Sequence, residues 1–311
     1  MQEDQYTIKT EFVNVGDGHS LYVQQWGNPK ADPIFFLHGG PGSGCSDKHK
    51  LSFDPRKHHV IFHDQRGCGK SLPLRELTNN TTQHLIADIE MIRIAFGFRK
   101  INIFGGSWGS CLGLAYAVTY PDKVNKMLLS AVYTGTKSET DYIQQGGLAT
   151  HFPETWQQYI NLVPENQRHD TVSYYFEKMQ DTDSEVANEH IRRWIINEST
   201  ATTIDPDIGL SVLNASQVDD HARSLAIVEA HYFMNDCFLP TNFILDNAHK
   251  LKEIQLVMVH GRYDHICPPQ TVYELAQAIG DTCRLHIVPG SHRRELALRE
   301  TIKAYVWALF Y

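Results

Sequence analysis

Polar and apolar positions alternate from residue 6 to 26, where Tyr6, Ile8, Phe12, Val13, Val15, Leu21, Tyr22 and Val23 surround the turn Gly16-Asp17-Gly18. That pattern predicts an antiparallel hairpin at the edge of a sheet. Two continuous apolar runs follow, Pro33 to Leu37 and Val60 to Phe62, of the kind that fills a strand covered on both faces. Residues 82–97 change to helical spacing, carried by Leu85, Ile86, Ile89, Ile92, Ile94 and Phe96. A further strand-like run, Ile101 to Phe104, leads into a small-residue helical stretch from Cys111 to Tyr120. Strand patterns return at 126–132, 254–260 and 284–288, and a helical one closes the chain from about 294 to 310. Strands alternating with helices predict a mostly parallel sheet with right-handed crossovers. Chemistry in such sheets collects at the carboxyl ends of the strands.

The interval 135–243 breaks this rhythm. It is helical and aromatic-rich (Trp156, Tyr159, Tyr174, Tyr175, Phe176, Trp194) and contains no buried-strand pattern. It reads as a helical cap inserted over the strand ends, where it can select substrate. The expected core is then 1–134 together with 244–311. Composition adds exclusions. With 42% hydrophobic and 21% charged residues the 311-residue chain is ordinary for a globular protein. A formal charge of −8 argues against nucleic acid or an anionic membrane as partner. The first residues show neither the basic nor the apolar region of a secretory signal, and no run approaches the roughly 18 apolar residues of a membrane span. Six cysteines without C-x-x-C pairs suit free thiols in the cytoplasm.

Candidate chemistry centres on Gly105, Ser107 and Gly109, which spell G-x-S-x-G between the strand-like run and the helical one. A serine on such a corner is the nucleophile elbow of the α/β-hydrolases, with glycines where the tight turn leaves no room for side chains. A serine hydroxyl needs a base to take its proton and a third group to orient that base. In this fold they follow in the order serine, acid, histidine. Asp264 lies just past the strand 254–260 and His292 just past 284–288, as a triad requires. Asp281 and His286 are nearby rivals; Asp236 and Asp246 precede the strand and are poorly placed. The oxyanion would take one amide from Trp108, directly after the serine, and one from Gly39 or Gly40, with Gly40 favoured. Gly69-Lys70-Ser71 imitates the end of a phosphate loop, but Asp64 stands where that loop needs glycine. His58, His59, His63 and Asp64 lack a recognised metal-ligand spacing and read as packed or edge residues. No metal or cofactor is expected.

HGGPG at 38–42, DQRGCGKS at 64–71, GGSWGS at 105–110, EAHYF at 229–233 and GRYDHICPP at 261–269 together resemble the prolyl aminopeptidase (proline iminopeptidase) family, nearly end to end. The resemblance implies an α/β-hydrolase fold, with a mostly parallel central sheet and an inserted helical cap. It also implies a serine exopeptidase that releases N-terminal proline from peptides through an acyl-enzyme. Glu229 matches one of the cap carboxylates with which that family reads the substrate amine, and Glu198 resembles the other; Tyr232 and Phe233 would line the pyrrolidine pocket. Cys267 matches a family cysteine near the site. The chain departs from the family in having Gly290-Ser291-His292-Arg293 around the histidine, Ser43 in the glycine loop, and Asn197 in place of a cap tryptophan. Two alternatives remain beside this reading: a broader aminopeptidase, amidase or esterase on the same triad, and a silent binding protein on the same fold.

Overall fold

The computed structural model describes residues 4–205, 218–293 and 295–311. An eight-stranded sheet forms its centre, in the order β1-β2-β4-β3-β5-β6-β7-β8. The hairpin is β1 (Thr7–Gly16) and β2 (His19–Gly27), with β1 at the sheet's edge and β2 antiparallel to β4 (His59–His63). From β4 onward every pairing is parallel, through β3 (Pro33–Leu37), β5 (Ile101–Ser107), β6 (Val124–Val132), β7 (Gln255–Gly261) and β8 (Cys283–Val288).

The continuous apolar runs are explained by where alternate side chains go. Phe35, Leu37, Ile61, Ile103, Met127, Leu129, Leu256 and Met258 enter one core; Ile34, Phe36, Val60, Phe62, Phe104, Leu128, Val257 and Val259 enter the other. Each buried side chain of this size is worth about 1.5–3 kcal/mol, so both faces of the central strands must be apolar. The first core is covered by α1 (Thr82–Ala95) and α2 (Trp108–Thr119), the second by the terminal helix Leu296–Phe310 through Leu298, Ile302, Val306 and Leu309. Position 294, where the closing helix was expected to begin, lies outside the described residues.

Between β6 and β7 the chain is helical: α3 (Lys137–Gln144), α4 (Pro153–Ile160), α5 (Thr171–Lys178), α6 (Ser184–Ala201) and α7 (Asp220–Met234). Residues 206–217 of the expected cap lie outside the described residues. Aromatic packing joins these helices: Tyr159 and Tyr175 stack at 4.2 Å, and Trp194 lies against both. After β7 come α8 (Pro269–Ile279) and, after β8, the terminal helix, α9.

α2 starts at Trp108, three residues before the expected Cys111, because Ser107 itself is the N-cap. The histidines near β4 are packed. The His58 Nδ1 accepts from the Asp54 amide at 3.0 Å, His59 meets Gln25, and His63 sits edge-on to Phe35. Burial pushes His63 down to about 3.

Candidate active site

Ser107 closes β5 with φ 56° and ψ −131°, a conformation side chains rarely adopt. The flanking glycines are required by close approach. A Cβ on Gly109 would sit 2.0 Å from the Leu37 carbonyl oxygen, and one on Gly105 2.3 Å from that of Gly109. The elbow is therefore wedged against the end of β3, which pairs Leu37 with Gly105. Gly109→Ala must push backbone apart and is expected to destabilise the protein by about 3 kcal/mol, read as a lowered midpoint of thermal or denaturant unfolding. An unchanged midpoint would contradict this account of the corner.

The same wedge brings the loop after β3 to the serine. Gly39 lies beside Ser107, where an added Cβ would be 3.4 Å from the serine's Cβ. Gly40 has φ +104°, and a side chain there would collide with the amides of Gly42 and Ser43 at 2.6 and 2.9 Å. Gln65 ties this region together: its amide donates to His38 Nε2 at 3.0 Å, its Nε2 to the His38 carbonyl at 3.1 Å, and its Oε1 accepts from the Trp108 indole at 2.9 Å. Asp64 accepts from the amides of Cys45 at 2.6 Å and Lys70 at 2.7 Å, while Arg66 forks onto buried Asp88 at 2.7 and 2.8 Å. Asp64 and Arg66 of DQRGCGKS thus hold loops in place.

Parallel pairing of β7 with β8 carries the acid and the histidine to one point. Arg262 and Tyr263 donate their amides to Val288 and Gly290 at 2.8 and 2.9 Å, lacing the two loops. Asp264 is buried, its Oδ1 accepting from the amides of Ile266 at 3.0 Å and Cys267 at 2.8 Å. Both its oxygens stand 3.0 Å from His292 Nδ1. Burial raises the carboxyl, but the charge and hydrogen bond of His292, with His260 and the Cys267 amide, outweigh it and hold Asp264 below its ordinary value. His260 clamps this loop to β6: Nδ1 accepts from the Val132 amide at 3.0 Å, leaving Nε2–H for the Cys267 carbonyl at 2.8 Å. Of the rivals, His286 hydrogen-bonds Tyr305 on α9.

Ser107 and His292 line a cavity of about 180 Å³ together with Gly40, Cys267, Glu198, Glu229 and Phe233. Glu229 accepts from the Trp194 indole at 2.7 Å and Glu198 from Gln144 Nε2 at 2.7 Å; the two carboxyls also bond each other. Burial pushes both up, Glu229 to about 7, and the neighbouring carboxyl adds to the rise at Glu198. The cavity therefore has an end poised to hold a proton or to meet a cation.

Tyr232 departs from expectation. It is fully buried, donates its hydroxyl to Asn80 at 2.9 Å and lies edge-on to Trp108 at 5.0 Å, so it backs the elbow rather than lining the cavity. Adjacent helix positions differ by about 100° in direction, and Phe233 takes the cavity side. Asp264, Cys267 and His292 bring potential ligand atoms within 4.8 Å of one another, but the carboxylate already serves two amides and the imidazole, and burial pushes the Cys267 thiol well up.

Gln65, Gln144, Trp194 and His260 were not singled out from sequence. Gln65 could have been found, since it sits inside the DQRGCG motif; the others join segments far apart in the chain.

The sheet order and the strand-to-helix corner define the class of protein, an alpha/beta-hydrolase, and the sequence matches that fold family over residues 32–293. Proline iminopeptidase of Xylella fastidiosa (strain 9a5c) is 38% identical over 279 residues, 89% of this chain and 88% of that protein. Proline iminopeptidase of Neisseria meningitidis serogroup A is 36% identical over 298 residues, 94% and 93% of the two chains. The chain belongs to the proline iminopeptidase family and is a hydrolase. In fold it is similar to the crystal structure of proline iminopeptidase from Mycobacterium smegmatis (TM-score 0.61, 20% identity, 97% of both chains). It is likewise similar to an alpha/beta fold family hydrolase from Bacillus anthracis (TM-score 0.64, 15% identity, 97% and 99%). Among the described residues no helix is long and apolar enough to cross a membrane.

Proposed function

We propose that this hydrolase is a serine exopeptidase that releases N-terminal proline from peptides. The observation that carries the reading is one cavity lined together by Ser107, His292, the buried Glu229 and the partly buried Glu198. A prolyl ammonium giving up water on entering the pocket needs an opposing charge, and only a chain terminus offers that cation so close to the scissile carbonyl.

In this mechanism Ser107 Oγ attacks the prolyl carbonyl while His292 Nε2 takes the hydroxyl proton. Asp264 holds Nδ1–H and steadies the imidazolium. The amides of Trp108 and Gly40 receive the oxyanion as it forms. His292 returns the proton to the leaving amine, and water repeats the sequence to free proline from Ser107. Glu198 and Glu229 hold the amine, with Phe233 against the pyrrolidine ring. Residues 135–243 act as the substrate-selecting cap, since both glutamates and Phe233 come from that interval. Six free thiols, four of them buried, agree with a reducing compartment.

The test is steady-state kinetics on a prolyl arylamide, an alanyl arylamide and an acetyl ester. The prolyl substrate is expected to exceed the other two in kcat/KM by about 10²-fold, the worth of a matched buried charge pair with its pocket. Parity among the three would replace this reading with a broad amidase or esterase. A serine-directed phosphonate is expected to label the parent and not Ser107→Ala; no labelling of the parent would point to a silent binding protein.

A further inference from the structure

Ser107 and His292 also line a second cavity, which neither glutamate lines. Its volume is about 630 Å³, within the range of about 300–1,000 Å³ typical of small-molecule sites. It opens between the ends of β3 and β5, the turn Asp47–Ser52 and α9. Lys48, Arg299 and Lys303 line it, with no carboxylate among its described lining residues. This local excess of positive charge runs against a net charge of −8 for the chain.

The cations are placed by simple geometry. Arg299 and Lys303 stand four residues apart on α9 and so share one face, turned to the cavity. Lys48 comes from the short turn opposite and is exposed. Arg299 and Lys303 each touch Glu300, at 3.3 and 3.8 Å, in exposed contacts that use one donor of each. An arginine has five N–H donors and a lysine three, so donors remain for a ligand.

The nucleophile thus borders both an acidic cavity and a basic one. A short peptide has the matching polarity, with an ammonium at one end and a carboxylate at the other. We propose that the larger cavity is a leaving-side subsite in which Lys48, Arg299 and Lys303 receive the C-terminal carboxylate of a short peptide. This rests on the aminopeptidase reading and names the substrate class of the same site. A globular volume of this size is about 10 Å across, the span of about three extended residues. Substrates of two to four residues therefore bring their carboxylate within the cationic rim. Longer or amidated chains place a neutral amide there and lose the contact.

The experiment compares Pro-Phe, its carboxamide Pro-Phe-NH2 and a prolyl arylamide, at low and at high salt. The free acid is expected to exceed the amide by about three- to tenfold in kcat/KM at low salt, mostly through KM, with the advantage shrinking as salt screens the exposed charges. In Arg299→Gln/Lys303→Gln the acid-to-amide ratio is expected to fall toward one, and Lys303→Glu should lower it further. These side chains are exposed on a helix surface, so folding is not at stake. Equal rates for acid and amide in a parent enzyme that cleaves the arylamide would overturn the subsite while leaving the aminopeptidase reading in place. So would a ratio unchanged by the double variant. Failure to release proline from all three substrates would overturn that reading and the subsite with it.

Discussion

Asp264→Asn is expected to lower kcat for a prolyl arylamide by about 10⁴-fold at neutral pH, and Ser107→Ala by about 10⁶-fold. The geometry says why an isosteric change should be so damaging. Asp264 Oδ1 is pinned by two amide donors, from Ile266 and Cys267. In the asparagine variant the remaining oxygen must keep that position, or those buried amides lose their acceptor at about 1–3 kcal/mol. The NH2 then replaces Oδ2, 3.0 Å from His292 Nδ1, where it can only donate. His292 responds by carrying its proton on Nε2, the nitrogen that must be bare to accept from Ser107. The defect is therefore one of tautomer and should appear in kcat with little change in KM. Because nucleophile and base act as a unit, Ser107→Ala/Asp264→Asn should be no slower than Ser107→Ala alone. An Asp264→Asn enzyme within tenfold of the parent would remove this aspartate from the mechanism. Linkage gives a second check. The carboxyl is held below its ordinary 3.8, so the stability it adds is present above that pH and is lost only on acidification through the lower, folded value.

How far these features were legible depends on the range of the forces that make them. Strands such as Pro33–Leu37 are readable because a sheet buried on both faces demands an unbroken apolar run, a purely local signature. Ser107, Asp264 and His292 are readable because each sits at the end of such a strand, and parallel pairing brings strand ends together wherever they lie in the chain. Tyr232 was misplaced because neighbours in sequence point about 100° apart on a helix, and α7 aims one at Trp108 and the other into the cavity. The clamps formed by His260 and Gln144 had no sequence signal. Each is a polar side chain whose partner comes from another element: β6 and the acid loop for His260, α6 for Gln144. The same holds for the cationic rim, where two residues of α9 meet a turn some 250 positions earlier.

Glu229→Gln is expected to lower kcat/KM for prolyl substrates by about 10²-fold, chiefly through KM, with a far smaller effect on a neutral ester. The amide keeps an oxygen for the Trp194 indole, 2.7 Å from Glu229 Oε2 in the parent, so shape is preserved and only charge is lost. The parent should also show an acidic limb specific to amine-bearing substrates. Below about 7 Glu229 is increasingly protonated and no longer opposes the prolyl ammonium; an ester without an amine should lack that limb, whatever His292 contributes to both. Stability should move the other way. A carboxyl raised from 4.5 to about 7 by burial favours the folded state below its unfolded value, and that advantage is lost as pH rises through 7 and Glu229 must ionise without a counter-charge. Removing the charge should therefore raise the melting temperature relative to the parent at pH 8 and above, and progressively less toward pH 5, while impairing catalysis. A site that gives up stability to keep an unpaired carboxylate waiting for a cation is what amine recognition requires. Equal losses on prolyl substrate and ester, or no pH-dependent gain in melting temperature, would end that account of the two glutamates.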